Sequence, residues 1–216
     1  MRTHGPAPYF SLRKAYISGM SRTSRPELEL PDLFGVPAVG PAGFRYQPDL
    51  VTPEEEAILV PRLQELPLQP FEFFGHLGNR RVTWFGERYD YGDGRIHAAA
   101  PIPAWLESLK VRAAEFAGLS PNALKQALVT EYTPGAGIGW HKDRPVYEDV
   151  IGISFVNGCV LRLRQSQGQG WDRHDVTVPP RSAYLFRGEV RDAWEHSIAP
   201  MPALRYSITF RSLRDR

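Results

Sequence analysis

Two hydrophobic periods divide the chain. Up to about residue 118 the apolar positions recur at helical spacing, and from residue 127 they alternate with polar ones. In TPEEEAILVPRLQEL (52–66), Thr52 stands as N-cap and Pro53 at the first helical position. Glu54 to Glu56 fill the first turn, and Glu55 completes a capping box with Thr52. Pro61 is expected to kink or shorten this helix. IPAWLESLKVRAAEFAG (102–118) predicts a second helix, opened near Pro103 and stopped at Gly118. Trp105, Leu106, Leu109, Ala113 and Phe116 fall on one face of it, so Trp105 and Phe116 read as core and not as a stacking site. SPNALKQ (120–126) predicts a short third helix capped by Ser120.

The alternating part contains ALVTEYT, VIGISFV, CVLRLR, HDVTV, SAYLF and LRYSITFR, short β-branched or aromatic runs separated by Gly, Pro, Asp and Gln. Strands at this spacing predict a sandwich or barrel with the helices packed against it and an interior able to hold a site. Between the two halves, residues 71–95 (FEFFGHLGNRRVTWFGERYDYGDGR) mix aromatics, arginines and glycines with no single period. Such a mixture suits stacking on bases and contacting phosphates. On this segment alone the plainer reading is a hairpin with aromatics over a sheet edge and solvated arginines.

A composition of 42% hydrophobic and 12% aromatic residues excludes disorder throughout, and no apolar run is long enough to span a membrane. The formal charge of +2 permits contact with nucleic acid without arguing for it. The single cysteine, Cys159, excludes an internal disulfide and a cysteine-built zinc site, so the cytoplasm is the expected compartment and Cys159 a small buried hydrophobe. Residues 1–30 read as a flexible tail, basic at its start, and Met20 offers an alternative start. Residues 31–216 read as one domain.

GWHKDRP (139–145) carries the sharpest chemistry. On a strand, His141 and Asp143 share one face and Lys142 takes the other. An imidazole and a carboxylate at one point suit a divalent first-row metal, and a second histidine would complete a facial triad with open positions. Alone, the pair is common on ordinary surfaces. His76, His97, His174 and His196 are candidates for the third ligand. His174 sits in a polar turn, while the run after His196 suits a strand beside His141, which favours His196. In RYSITFR (205–211), Arg205 and Arg211 share a face with Ser207 and Thr209. Two buried guanidiniums require anions, and a small dicarboxylate would supply them. For either arginine alone, a protein carboxylate or a solvated strand end is the readier explanation.

Together EYTPGAGIGWHKD (131–143), RDAWEHSI (191–198) and RYSITFR, in that order, resemble the AlkB family of Fe(II)- and 2-oxoglutarate-dependent dioxygenases, across about residues 42–213. NRRVTWFGERYDY (79–91) is similar to that family's nucleotide-recognition region. The resemblance implies an α+β, mainly β fold, with a double-stranded β-helix (jelly-roll) core flanked by N-terminal helices. It implies Fe(II) on His141, Asp143 and His196, with 2-oxoglutarate held by Arg205, Arg211, Tyr132, Thr130 and Ser207. O2 is the further cosubstrate.

Arg80, Arg81, Trp84, Tyr89, Tyr91 and Arg191 become substrate contacts, the first five on a lid within residues 71–95. The implied reaction converts 2-oxoglutarate to succinate and CO2, hydroxylates a methyl group on a damaged base and releases formaldehyde. The expected substrate is alkylated nucleic acid, single-stranded DNA first, acted on by a monomer. A 2-oxoglutarate-dependent hydroxylase or demethylase of protein or RNA is the alternative. Thr130 and Ser207 replace family asparagines and can still hydrogen-bond. Pro145 replaces an acidic residue that reads the base in the founding member and can form no such bond, which leaves the preferred base open.

Overall fold

The computed structural model describes residues 40–73 and 76–215, so the expected tail at 1–30 lies outside the described residues. Helix α1 (Pro53–Gln64) begins with the anticipated capping box. Thr52 Oγ1 accepts from the Glu55 amide at 3.2 Å, and Glu55 Oε2 accepts from the Thr52 amide at 2.9 Å. Pro61 lies inside the helix, which ends three residues later. The single amide it forgoes falls in the last turn, where the loss shortens the helix and does not break it. Helix α2 (Glu107–Ala117) follows one 3₁₀ turn, Ala104–Leu106, and stops at Gly118 as expected.

The third helix is not formed. Pro121–Ala123 make one 3₁₀ turn, the Ser120 side chain caps nothing, and Lys125 and Gln126 already belong to a strand. A segment of under two turns is too short to hold itself as a helix, and the sheet takes its backbone groups instead.

The strands are β1 (Phe44–Gln47), β2 (Gln69–Phe73), β3 (His76–Tyr89), β4 (Ile96–Ala98), β5 (Leu124–Tyr132), β6 (Ile138–His141), β7 (Tyr147–Phe155), β8 (Cys159–Gln167), β9 (Gly170–Val178), β10 (Ala183–Phe186), β11 (Glu195–Ile198) and β12 (Arg205–Leu213). A large sheet runs β1-β10-β7-β12-β5-β3-β2, with β4 attached to β3, and a small sheet runs β6-β11-β8-β9. Every pairing between the described strands is antiparallel. The architecture is the jelly-roll sandwich with helices on one side. His174, expected in a turn, lies on β9, because β8 and β9 extend almost to the tip of their hairpin.

Alternation along the large sheet separates two cores. Ile151, Ile153 and Phe155 of β7 and Tyr206, Ile208 and Phe210 of β12 pack with Leu59 and Leu63 of α1 and with Leu109, Ala113 and Phe116 of α2. On the other face Tyr132, Val150, Tyr184 and Phe186 meet Leu161, Leu163, Val176 and Ile198 of the small sheet. β12 shows the division most clearly: its even-numbered residues 206–210 face the helices, and Arg205, Ser207, Thr209 and Arg211 face the space between the sheets.

Two glycines shape that space. Gly86 has φ +79°, and a Cβ there would stand 2.1 Å from the Lys125 carbonyl oxygen. Only glycine permits the bend at which β3 leaves β5 and pairs with β4. At Gly152 a Cβ would meet the Tyr184 ring at 2.3 Å, so its absence lets Tyr184 lie flat across β7. Among the described residues no helix is long and apolar enough to cross a membrane.

Candidate active site

Between the sheets lies a cavity of about 410 Å³ lined by residues of both. His141 ends β6 directly opposite His196 on β11, and their ring centroids stand 4.2 Å apart. The strand stops there, two residues short of Asp143, and Pro145 follows without an amide hydrogen to continue the pairing. Asp143 nevertheless turns back to the same point, with Oδ2 3.8 Å from His196 Nε2. That distance is too long for a hydrogen bond, yet two metal–ligand bonds of about 2.1 Å each can span it. Among the described residues no three His, Cys, Asp or Glu side chains are already closed to ligand spacing. The trio here is two adjacent pairs that share His196.

The protonation states suit ligands. His141 Nδ1 lies 2.9 Å from the Gly139 carbonyl, which can only accept, so Nδ1 donates there and Nε2 is the nitrogen left to face a metal. Burial pushes the His196 pKa down to about 3, with His141 adding to the fall against Asp143, so this ring is neutral at pH 7. Burial raises the Asp143 carboxyl, but Arg211, His196 and His141 outweigh it and hold the group well below the usual carboxylate range. Two imidazoles and one carboxylate form a donor set that fits a divalent first-row metal.

The two arginines of β12 differ in their partners. Arg211 donates to Asp143 Oδ1 at 2.9 Å and Gln126 Oε1 at 2.8 Å, and lies 5.0 Å from the Tyr147 ring. Arg205 is 1% exposed. Its Nε donates to Ser154 Oγ at 2.9 Å and its guanidinium stands over the Tyr132 ring, but Nη1 has no partner. Among the described residues no carboxylate pairs with it. Thr130, Tyr132 and Ser207 line the same cavity, so the sequence-predicted cosubstrate residues are all brought together.

The expected substrate residues divide. Arg80, Trp84, Tyr89 and Tyr91 line the cavity; Arg81 and Arg191 do not. Arg81 points to the opposite face of β3, where it grips Glu131 bidentately at 2.7 and 2.9 Å, and Tyr206 donates to the same carboxylate at 2.8 Å. Adjacent strand residues must face opposite ways, so Arg80 and Arg81 could not both enter. Arg191, buried on helix α3 (Glu189–Asp192), donates to the carbonyls of Arg144 and Tyr147. It clamps the loop after Asp143 and is a positioning residue.

Sequence reasoning missed Arg144, Tyr147, Gln126 and Tyr184, all in the lining. Arg144 was adjacent to the motif, and its basic charge beside a metal-type pair was the available signal. The others are single polar residues on strands and gave none. Arg144 donates to Tyr89 Oη at 2.5 Å and lies over the Tyr89 and Tyr91 rings at 4.6 and 5.5 Å. Arg80 stacks on Phe71 at 4.0 Å. Pro145 is exposed and outside the cavity.

A family model described as the 2OG-Fe(II) oxygenase superfamily matches residues 43–211. An uncharacterized protein, L905, of Acanthamoeba polyphaga mimivirus is 28% identical over 79% of this chain and 85% of its own length. The mouse tRNA (carboxymethyluridine(34)-5-O)-methyltransferase ALKBH8 is 27% identical over 74% of this chain but 24% of its own length. An Arabidopsis thaliana alkylated DNA repair protein ALKBH8 homolog is 26% identical over 80% and 52%. The chain thus spans about a quarter of the mouse protein and half of the plant one. Among solved structures, OsALKBH1 superposes with a TM-score of 0.62 at 15% identity over 79% of this chain and 96% of that one. A Pseudomonas putida prolyl-4-hydroxylase does so with 0.56 at 16% identity over 80% and 93%. These show the jelly-roll fold. On the family match across most of its length, the chain belongs to the 2OG-Fe(II) oxygenase superfamily, is AlkB-like within it, and is a dioxygenase that uses Fe(II), 2-oxoglutarate and O2.

Proposed function

We propose that this dioxygenase removes alkyl groups from bases of single-stranded nucleic acid, with His141, Asp143 and His196 holding Fe(II). The observation that carries the cosubstrate assignment is Arg205: a buried guanidinium with an unpartnered Nη1 requires an anion. The distal carboxylate of 2-oxoglutarate is that anion. Ser207, Thr130 and Tyr132 line its path, and Tyr132 stands under the guanidinium. Arg211 is already neutralised by Asp143. It therefore orients the carboxylate ligand and leaves Oδ2 for the metal.

When bound, Fe(II) supplies the activation of O2 coupled to 2-oxoglutarate decarboxylation. The protein residues supply the rest. Trp84, Tyr89 and Tyr91 line the cavity with aromatic side chains, on which a base lifted out of a strand can stack. The aromatic walls and the paired sheets exclude water around the reacting methyl group. The names of the mouse and plant relatives, one acting on tRNA and one on alkylated DNA, support nucleic acid as the polymer. In an aerobic incubation with Fe(II), 2-oxoglutarate and single-stranded oligonucleotides bearing N-methylated bases, succinate and formaldehyde form in equal amounts as the methyl group is lost. Succinate formed at an equal rate without any oligonucleotide, and no loss of methyl from any of them, would contradict the reading.

A further inference from the structure

The charge on the cavity wall points to which bases fit, an inference that rests on the nucleic-acid reading above. Five basic residues line the cavity, Arg80, Lys142, Arg144, Arg205 and Arg211, against one acidic residue, Asp143. Arg205 is matched by the distal carboxylate of 2-oxoglutarate and Arg211 by Asp143. Arg80, Lys142 and Arg144 are left over.

None of these three has a carboxylate within ion-pair distance among the described residues. The Lys142 ammonium donates to the Asp192 carbonyl at 3.1 Å. Arg80 and Arg144 are held on aromatic faces, Phe71 for one and Tyr89 with Tyr91 for the other. The Nε of Arg144 is buried and has no partner. Guanidinium and ammonium groups only donate hydrogen bonds. The wall that receives a base therefore offers positive charge and donors, and no carboxylate beyond Asp143 faces it.

Alkylated bases divide on this property. A cytosine methylated at N3 or an adenine methylated at N1 carries a positive charge and presents an amino group beside the lesion. A uracil or thymine methylated at N3 is neutral and presents a carbonyl oxygen on each side of the methylated nitrogen. We propose that this site selects the neutral oxo-base, with Arg144 and Arg80 donating to the carbonyls, and discriminates against the cationic amino-bases. Pro145, exposed beside Arg144, does not take part.

The reaction balances for this substrate. One atom of O2 enters the N–CH3 carbon to give N–CH2OH, the other enters succinate, and 2-oxoglutarate loses CO2. The N–CH2OH group then breaks its C–N bond, releasing formaldehyde and leaving N–H.

The test uses two single-stranded oligonucleotides identical except for 3-methyluracil or 3-methylcytosine. They compete for the full chain with Fe(II) and 2-oxoglutarate, in air for turnover and without O2 for binding. The proposal expects the 3-methyluracil strand to have a kcat/KM at least about ten-fold higher, as expected when paired donors would otherwise meet a cation. Arg144→Gln and Arg80→Gln should each shrink the ratio, mainly by weakening binding of the 3-methyluracil strand without O2, with the 3-methylcytosine strand little changed. Equal or better use of 3-methylcytosine by the wild type overturns the proposal and leaves the dealkylase reading intact. Preferential binding of 3-methyluracil without loss of methyl from either strand upholds the selection and overturns dealkylation. No lesion-dependent binding of either strand overturns both.

Discussion

The two faces of the large sheet are built from alternate residues of the same strands and follow opposite rules. Toward the helices, Ile151, Ile153, Ile208 and Phe210 are fully buried with apolar neighbours, and the buried carboxylates there have protein partners, Glu131 in Arg81 and Tyr206 and Asp149 in Arg187 and Ser212. Toward the cavity, Arg205, Ser207 and Thr209 are buried too and Arg211 is partly so, yet Arg205 lacks an anion. One face is satisfied by the protein alone, and the other is completed by what it binds. Side chains on the first should therefore govern stability, and side chains on the second function.

The sharpest break in that comparison is on the cavity face. His196→Ala should abolish Fe(II) binding and turnover while the melting temperature stays near that of the metal-free wild type, as metal analysis and thermal unfolding would report. Retained stoichiometric iron would remove His196 from the ligand set. On the helix face, Phe210→Ala should cost about 3–5 kcal/mol of unfolding free energy in denaturant titrations. The 2-oxoglutarate KM of the folded fraction should hardly change, and a large rise in it would blur the division between the faces.

Gly152→Ala probes the boundary, because its Cβ would meet the Tyr184 ring. A loss of about 1–3 kcal/mol is expected, accompanied by a weaker cosubstrate affinity as Tyr184 is driven into the cavity. The smallest effect concerns Glu131. Its pKa is lowered, chiefly by the Arg81 hydrogen bonds against some burial, so its folded value lies below its unfolded one. The stabilisation is then complete above the unfolded carboxylate pKa, near 4.3, and is lost as pH falls through the folded value. Glu131→Gln should flatten the acid limb of stability measured across that window, modestly, because Arg81 is half exposed and solvent screens it.

Much of this was legible in the sequence because it rests on local rules. The capping box at Thr52, the stop at Gly118 and the alternation of β12 follow from backbone geometry. The proposed ligand trio was approached by spacing for His141 and Asp143 and by element type for His196. Three things were not legible. The fate of SPNALKQ depended on pairing with β3 and β12, far away in sequence. The opposite roles of Arg80 and Arg81 depended on which face of β3 meets the cavity, since both residues look alike in a mixed aromatic and basic run. Arg191 shared a motif with the proposed ligand His196, yet its burial against two carbonyls emerges only once α3 is packed beside the loop after Asp143.

The central claim is that Arg205 awaits the distal carboxylate of 2-oxoglutarate. Calorimetric titration of 2-oxoglutarate into the Mn(II)-loaded protein, wild type against Arg205→Met, tests it most directly. The affinity should fall at least about a hundred-fold, equivalent to the ~3 kcal/mol that a charge-assisted buried pair contributes. The unfolding midpoint of the ligand-free variant should be equal to or above the wild type, because an unneutralised buried charge has been removed. Unchanged affinity for 2-oxoglutarate in Arg205→Met would contradict the claim.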